Sequence, residues 1–276
     1  MPTDSPTTQS SAERSLASDD RWSWSSLEED GDPRWELRWS TDVEARRHSG
    51  FVEEYGDKLF PYAVVSQGET SCTLRAGDAR PFSTIQWRKT GDSSIVALFE
   101  SLGMWLRSVH ELDAPAGFGD VIVDDKYHTF NAFMATEFTA LSRRMQELNN
   151  EMVRDTAVET MATLRHELSA FHPHGRSTWT VGRPTPERLA TGENPSRVEC
   201  FLDFGAVALR PPEYDLAALR VHGLLPEHPI AERAFWKGYK AAVTCDLSRR
   251  LAYFESLIEL ERLLGCPAYL TGDRST

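Results

Sequence analysis

The residues best suited to chemistry gather between positions 172 and 219. His172-Pro-His174-Gly-Arg176 sets two imidazoles beside a guanidinium. A histidine exchanges its proton near neutral pH, and an arginine keeps its positive charge under all ordinary conditions. Trp179 follows closely and could shield such a site from water. Farther on, Glu199-Cys-Phe-Leu-Asp-Phe-Gly205 closes an apolar run with one carboxylate, Asp203, in a glycine-ended turn, and Pro212-Glu-Tyr-Asp-Leu-Ala-Ala-Leu219 follows. Together they would offer a proton shuttle, a fixed positive charge and a shield. The plainer alternatives are a His-Pro-His surface turn, an Asp203 that only caps its own turn, and an Arg176 that is spent in an ion pair with Asp203.

Other chemistries find less support. His110, His166, His172 and His174 do not fall into an HExxH pattern with a matching carboxylate, so no metal site is expected. The four cysteines, Cys72, Cys200, Cys245 and Cys266, are far apart and form no CxxC pair. They read as buried free thiols, and Cys200, in an apolar strand context, as an inert one. A net charge of −12 excludes a nucleic-acid backbone as the main partner. No apolar run approaches the roughly 20 residues that cross a bilayer, and the N-terminus lacks a secretory pattern, so a cytoplasmic protein with no membrane partner is expected.

These groups must be held by two kinds of structure. Residues 1–20 are rich in Ser, Thr, Pro and Asp and are expected to form a disordered tail. Trp22 and Trp24, then Trp35, Leu37 and Trp39, alternate with polar residues around the Asp30-Gly-Asp-Pro33 turn, which predicts a hairpin. A helix is expected from Val43 to Tyr55 and a second hairpin from Pro61–Val65 and Ser71–Arg75. Residues 21–80 thus read as a small α+β lobe. From Ser93 the period changes: Ile95, Leu98, Phe99, Leu102, Trp105, Leu106 and Val109 recur at helical spacing. Further helices are expected over Lys126–Glu147, Asn150–Phe171, Tyr214–Val221, Ile230–Val243 and Leu247–Leu264, making residues 81–276 a mainly helical lobe.

A small strand-rich lobe before a larger helical one is the plan of the protein-kinase-like fold, and four motifs make the likeness specific. Leu106-Arg-Ser-Val-His110 matches a helix that ends in a Leu-His pair. His174-Gly-Arg-Ser-Thr-Trp-Thr-Val181 matches the loop His-Gly-Asp-x-x-x-x-Asn, Leu202-Asp-Phe-Gly205 the metal-binding turn, and Asp215-Leu-Ala217 the following helix. On these motifs the chain resembles the aminoglycoside phosphotransferases. The resemblance implies an α+β, two-lobed kinase-like fold with a reduced N-terminal lobe.

It also implies functional residues, and several are missing. Phosphoryl transfer in that fold uses a carboxylate to orient the acceptor hydroxyl, and an Asn and an Asp to hold the metal ions. In the match above the carboxylate becomes Arg176 and the Asn becomes Val181, leaving Asp203. If Trp35–Trp39 is the strand that carries the ATP-pairing lysine, the cation slot falls near Arg38, with Glu44 as its partner. Gly31 is the only glycine before Gly50, so there is no glycine-rich phosphate loop. These departures imply a pseudokinase with no nucleotide cofactor. Its likeness to proteins of thioamitide-type ribosomal-peptide biosynthesis implies a modified peptide as partner, other peptide-modifying enzymes as possible neighbours, and closure of an aminovinyl-cysteine ring. The alternatives are a non-catalytic scaffold and an atypical ATP-dependent phosphotransferase.

Overall fold

A computed structural model describes residues 22–29, 32–39, 41–59, 63–75, 80–81, 92–121, 126–169, 176–182, 184–185, 188–191, 196–222, 225 and 229–265. The expected disordered tail lies outside them. β1 (Trp22–Glu29) and β2 (Asp32–Trp39) form the antiparallel hairpin that the tryptophan alternation predicts. With β3 (Ala63–Gln67) and β4 (Ser71–Arg75) they make a four-stranded sheet in the order β1-β2-β4-β3. At the end of β2 the alternation decides what faces inward: Leu37 and Trp39 are buried, while Arg38 is exposed.

α1 (Asp42–Leu59) follows, longer than the expected Val43–Tyr55. Thr41 starts it through a reciprocal cap, in which the Thr41 hydroxyl accepts from the Glu44 amide and donates to the Glu44 carboxylate, both at 3.2 Å. Its inner face, Ala45, Arg47, His48, Phe51, Val52 and Tyr55, is buried against the helical part of the chain.

β5 (Arg80–Pro81) leads to α2 (Asp92–His110), whose seven predicted apolar positions are all buried. After β6 (Gly119–Asp120) come α3 (Phe130–Glu147) and α4 (Glu151–Leu168), capped by the side chains of Thr129 and Asn150. α3 begins four residues later than expected. Tyr127 instead bridges to Phe118, with mutual backbone bonds of 2.9 and 3.0 Å, and the Thr129 cap then fixes the start.

The helical part also holds short strands, of which the strand around Cys200 was expected and the others were not. β7 (Thr178–Thr180), β8 (Leu189–Thr191), β9 (Val198–Phe201) and β10 (Ala208–Arg210) form two three-stranded sheets, β6-β10-β7 and β5-β8-β9. α5 (Glu213–Val221), α6 (Pro229–Tyr239) and α7 (Cys245–Leu263) are the last elements among the described residues. α6 stops short of the expected Val243 because Lys240 turns left-handed, with φ 59°. α2 and α6 cross so closely that a Cβ on Gly238 would meet the Glu100 carbonyl oxygen at 2.0 Å. Among the described residues, no helix is long and apolar enough to cross a membrane.

Candidate functional site

Asp203 stands where β9 gives way to the turn, and it is almost fully buried. A buried carboxylate needs partners for both oxygens, and it has them. Oδ1 accepts from the Trp39 indole N–H and from the Gly205 amide, each at 2.7 Å. Oδ2 lies 2.7 Å from Arg188 Nη1, and that arginine is buried as well. The turn-capping role read for Asp203 is therefore present, and two further donors accompany it.

The wall behind this carboxylate comes from α1. The His48 ring lies 4.6 Å from that of Trp39, and its Nδ1 accepts from the Phe204 amide at 3.2 Å. Burial lowers the His48 pKa to about 4, against the opposing pull of the Asp203 charge. The ring is neutral at pH 7 and carries its proton on Nε2, a buried atom with no hydrogen-bond partner. A Cβ on Gly205 would lie 3.0 Å from atoms of Trp39, Glu44 and Asp203, so glycine lets strand and helix close on the turn. Arg47 adds a buried ion pair with Asp120 and reaches the Gly205 carbonyl at 3.4 Å.

A second buried network fixes the loop after β7. Asp215 accepts from the amides of Val181 at 2.6 Å and Gly182 at 2.8 Å. Its Oδ2 lies 3.1 Å from His110 Nε2, and His110 Nδ1 lies 2.8 Å from the Tyr239 hydroxyl. One tautomer satisfies every member, with His110 donating to Asp215 and accepting from Tyr239. Two residues singled out by the motifs, His110 and Asp215, thus meet as parts of one brace.

The structure sorts the other sequence-predicted residues as follows. His172 and His174 lie outside the described residues. Arg176 is exposed, and its Nη2 lies 3.8 Å from Asp113 Oδ1, so the ion pair with Asp203 belongs to Arg188 instead. Trp179 is buried: its indole N–H is shared by the Tyr55 hydroxyl at 3.2 Å and the Asp113 carbonyl at 3.1 Å, and its ring packs on Phe51 and Tyr55. That is a core role rather than a substrate surface. Arg38 points outward to Glu36 at 2.8 Å, and its neighbour Trp39 takes the inward position next to Asp203. Glu44 serves the Thr41 cap and packs over Gly205. Cys200 is fully buried and its thiol pKa is pushed up by burial, as expected of an inert cysteine.

Sequence reasoning missed Arg188. The signal was a second glycine-arginine pair, Gly182-Arg183, seven residues after Gly175-Arg176. Set on that pair, the eight-residue loop runs from Val181 to Arg188. Its last residue, Arg188, is the one that pairs with Asp203. The earlier frame ends on Val181, whose amide is bonded to Asp215. Arg183, the arginine of that second pair, lies outside the described residues.

No family model and no curated protein sequence matches this chain. Solved structures do. A thermostable mutant of aminoglycoside phosphotransferase APH(4)-Ia, in ternary complex with AMP-PNP and hygromycin B, matches with a TM-score of 0.66 at 14% identity, over 92% of this chain and 86% of that one. A choline/ethanolamine kinase family protein from Mesorhizobium loti matches with a TM-score of 0.66 at 13% identity, over 92% and 78%. The gentamicin complex of APH(2")-IIa gives 0.62 at 14% identity, over 94% and 93%. The fold is kinase-like. Within the kinase-like fold, the four-stranded sheet and α1 form the reduced lobe, and the turn at Asp203 lies where that lobe meets the helical one.

Proposed function

We propose that this chain is a catalytically degenerate phosphotransferase homologue, a pseudokinase that binds a modified ribosomal peptide and promotes its cyclisation. One observation carries the loss of kinase chemistry: both oxygens of Asp203 are engaged by protein donors, one of them a guanidinium. Magnesium binds carboxylate oxygen at about 2.0–2.1 Å and demands near-octahedral room. A cation that never loses its proton already fills that approach. These residues do not fit the metal that the fold would otherwise hold. In either frame of the loop an arginine replaces the acid that would orient a hydroxyl, and neither Val181 nor Arg188 can replace a metal-binding asparagine.

The proposed reaction needs neither metal nor nucleotide. An enethiol formed from a C-terminal cysteine adds to a dehydrated Ser or Thr: sulfur gives up its proton to a base, a C–S bond forms at the β-carbon, and the resulting enolate takes a proton at the α-carbon. His172 or His174 acts as the base and returns the proton. Arg176 offers an exposed guanidinium to the enolate oxygen, held back only by a long contact to Asp113. The remaining catalysis comes from holding the peptide in a ring-forming conformation.

The test is incubation of the protein with a decarboxylated, dehydrated peptide, with ring closure read as loss of the free thiol at unchanged mass. Closure that falls on Arg176→Ala or His174→Ala substitution supports the reading. A protein that binds the peptide but closes it only when a partner enzyme is added is a scaffold. Magnesium-dependent ATP binding with formation of a phosphorylated product defeats the reading altogether.

A further inference from the structure

Asp203 joins parts of the molecule that lie far apart in the chain. The Trp39 indole reaches it from the end of β2, 164 residues away in sequence, and Arg188 reaches it from the residue just before β8. The residues around it are locked in turn. The Trp39 amide bonds to the Thr70 carbonyl at 2.9 Å, and the Leu202 amide to the Arg188 carbonyl at 2.7 Å. Arg47 ties α1 to the Gly205 carbonyl and to Asp120. A buried carboxylate in this position requires a counter-charge, because desolvating it alone is prohibitively costly. In a phosphotransferase that counter-charge arrives with the ligand as a metal ion. Here it is covalently part of the chain.

We propose that the Arg188 guanidinium is the permanent occupant of the cation position beside Asp203, so that β2 and α1 are drawn onto the Asp203–Gly205 turn without metal or nucleotide. The inference rests on the pseudokinase reading above and adds to it a ligand-independent clasp between the two lobes. Asp203 keeps its value to the fold as an anchor for Trp39, which accounts for a metal-type aspartate persisting in a loop that has lost the other metal-type residues. The same arrangement makes the cation position latent. Removing the guanidinium while keeping the carboxylate recreates a demand for a cation that solvent can meet.

The probe is Mn²⁺ on the full chain. Arg188→Asn protein is expected to bind Mn²⁺ at least about tenfold more tightly than wild type, since a like charge within contact distance has gone. The double variant Arg188→Met, Asp203→Asn replaces the pair by neutral groups, the kind of exchange that buried pairs tolerate, and it is expected to lose the gained binding. Equal binding by wild type and Arg188→Asn, or a gain that survives in the double variant, overturns the proposal. A measurement on wild type needs no variant to fold: Mn²⁺ must leave the Trp39 indole N–H resonance sharp, and selective broadening of that resonance places the metal at Asp203 and overturns the proposal. An ATP-phosphorylation assay on the same sample separates the two levels. A wild-type protein that phosphorylates sinks the pseudokinase reading, whereas an inactive one with a Mn²⁺-broadened Trp39 sinks only the clasp.

Discussion

His48 should make this protein acid-sensitive, and the size of the effect follows from its surroundings. The ring is completely buried between Trp39 and Phe204, and burial lowers its pKa from 6.5 to about 4. In the unfolded chain the same imidazole takes up a proton below its ordinary pKa. Unfolding therefore binds protons between these two values, and stability falls as the pH is lowered through that window. The contribution is fully present above pH 6.5 and lost by about pH 4. A displacement of this size corresponds to roughly 3 kcal/mol at about 1.4 kcal/mol per pKa unit. His48→Asn is the informative change, because an asparagine oxygen can take over the Phe204 amide bond that Nδ1 now accepts. Denaturant unfolding at a series of pH values should give a wild-type stability that drops between pH 6.5 and 4 relative to the variant, by roughly those 3 kcal/mol. The comparison must be a difference between the two proteins, since other buried groups titrate nearby. Parallel curves across that range would refute the claim that His48 is held neutral.

Glu137 supplies the opposite slope. Burial raises its pKa to about 7, the neighbouring Arg210 charge opposes the rise, and the negative charges of Glu261 and Asp120 reinforce it. Its contribution is present below the ordinary carboxyl pKa and lost as the pH climbs to about 7, so Glu137→Gln should flatten that decline, by roughly 3 kcal/mol, in the same denaturation series. Two glycines should respond with opposite signs to alanine. Gly238→Ala drives a methyl into the α2 backbone at Glu100 and should cost about 3 kcal/mol or more in thermal or denaturant unfolding. Gly50→Ala, on the exposed side of α1 with open space around it, should gain about 0.5–1 kcal/mol.

The helical periodicity of the chain was enough to place α2 and α4 through α7 within a few residues, because each buries a stripe of its own side chains and the stripe is written locally. Strand alternation placed the β1–β2 hairpin and the inward Trp39 for the same reason. Of the short strands, β9 showed itself as the apolar strand context of Cys200, and β7, β8 and β10 were not legible. Three or four residues carry no period, and these strands exist because partners elsewhere in the chain supply their hydrogen bonds. Loop length hid the site as well: two glycine-arginine pairs seven residues apart offer the same spelling to a motif.

Patterns along the chain were enough to read a kinase-like plan and the turn that carries Asp203. The pairing of Arg188 with Asp203, the contact of Trp39 rather than Arg38 with that carboxylate, and the core position of Trp179 came from packing across the chain. The physical reason is that a buried ion pair is chosen by desolvation, a property of the space around a group. Local spacing in the chain reports which side chains share a face, and it is silent on which distant charge will be shut in with them.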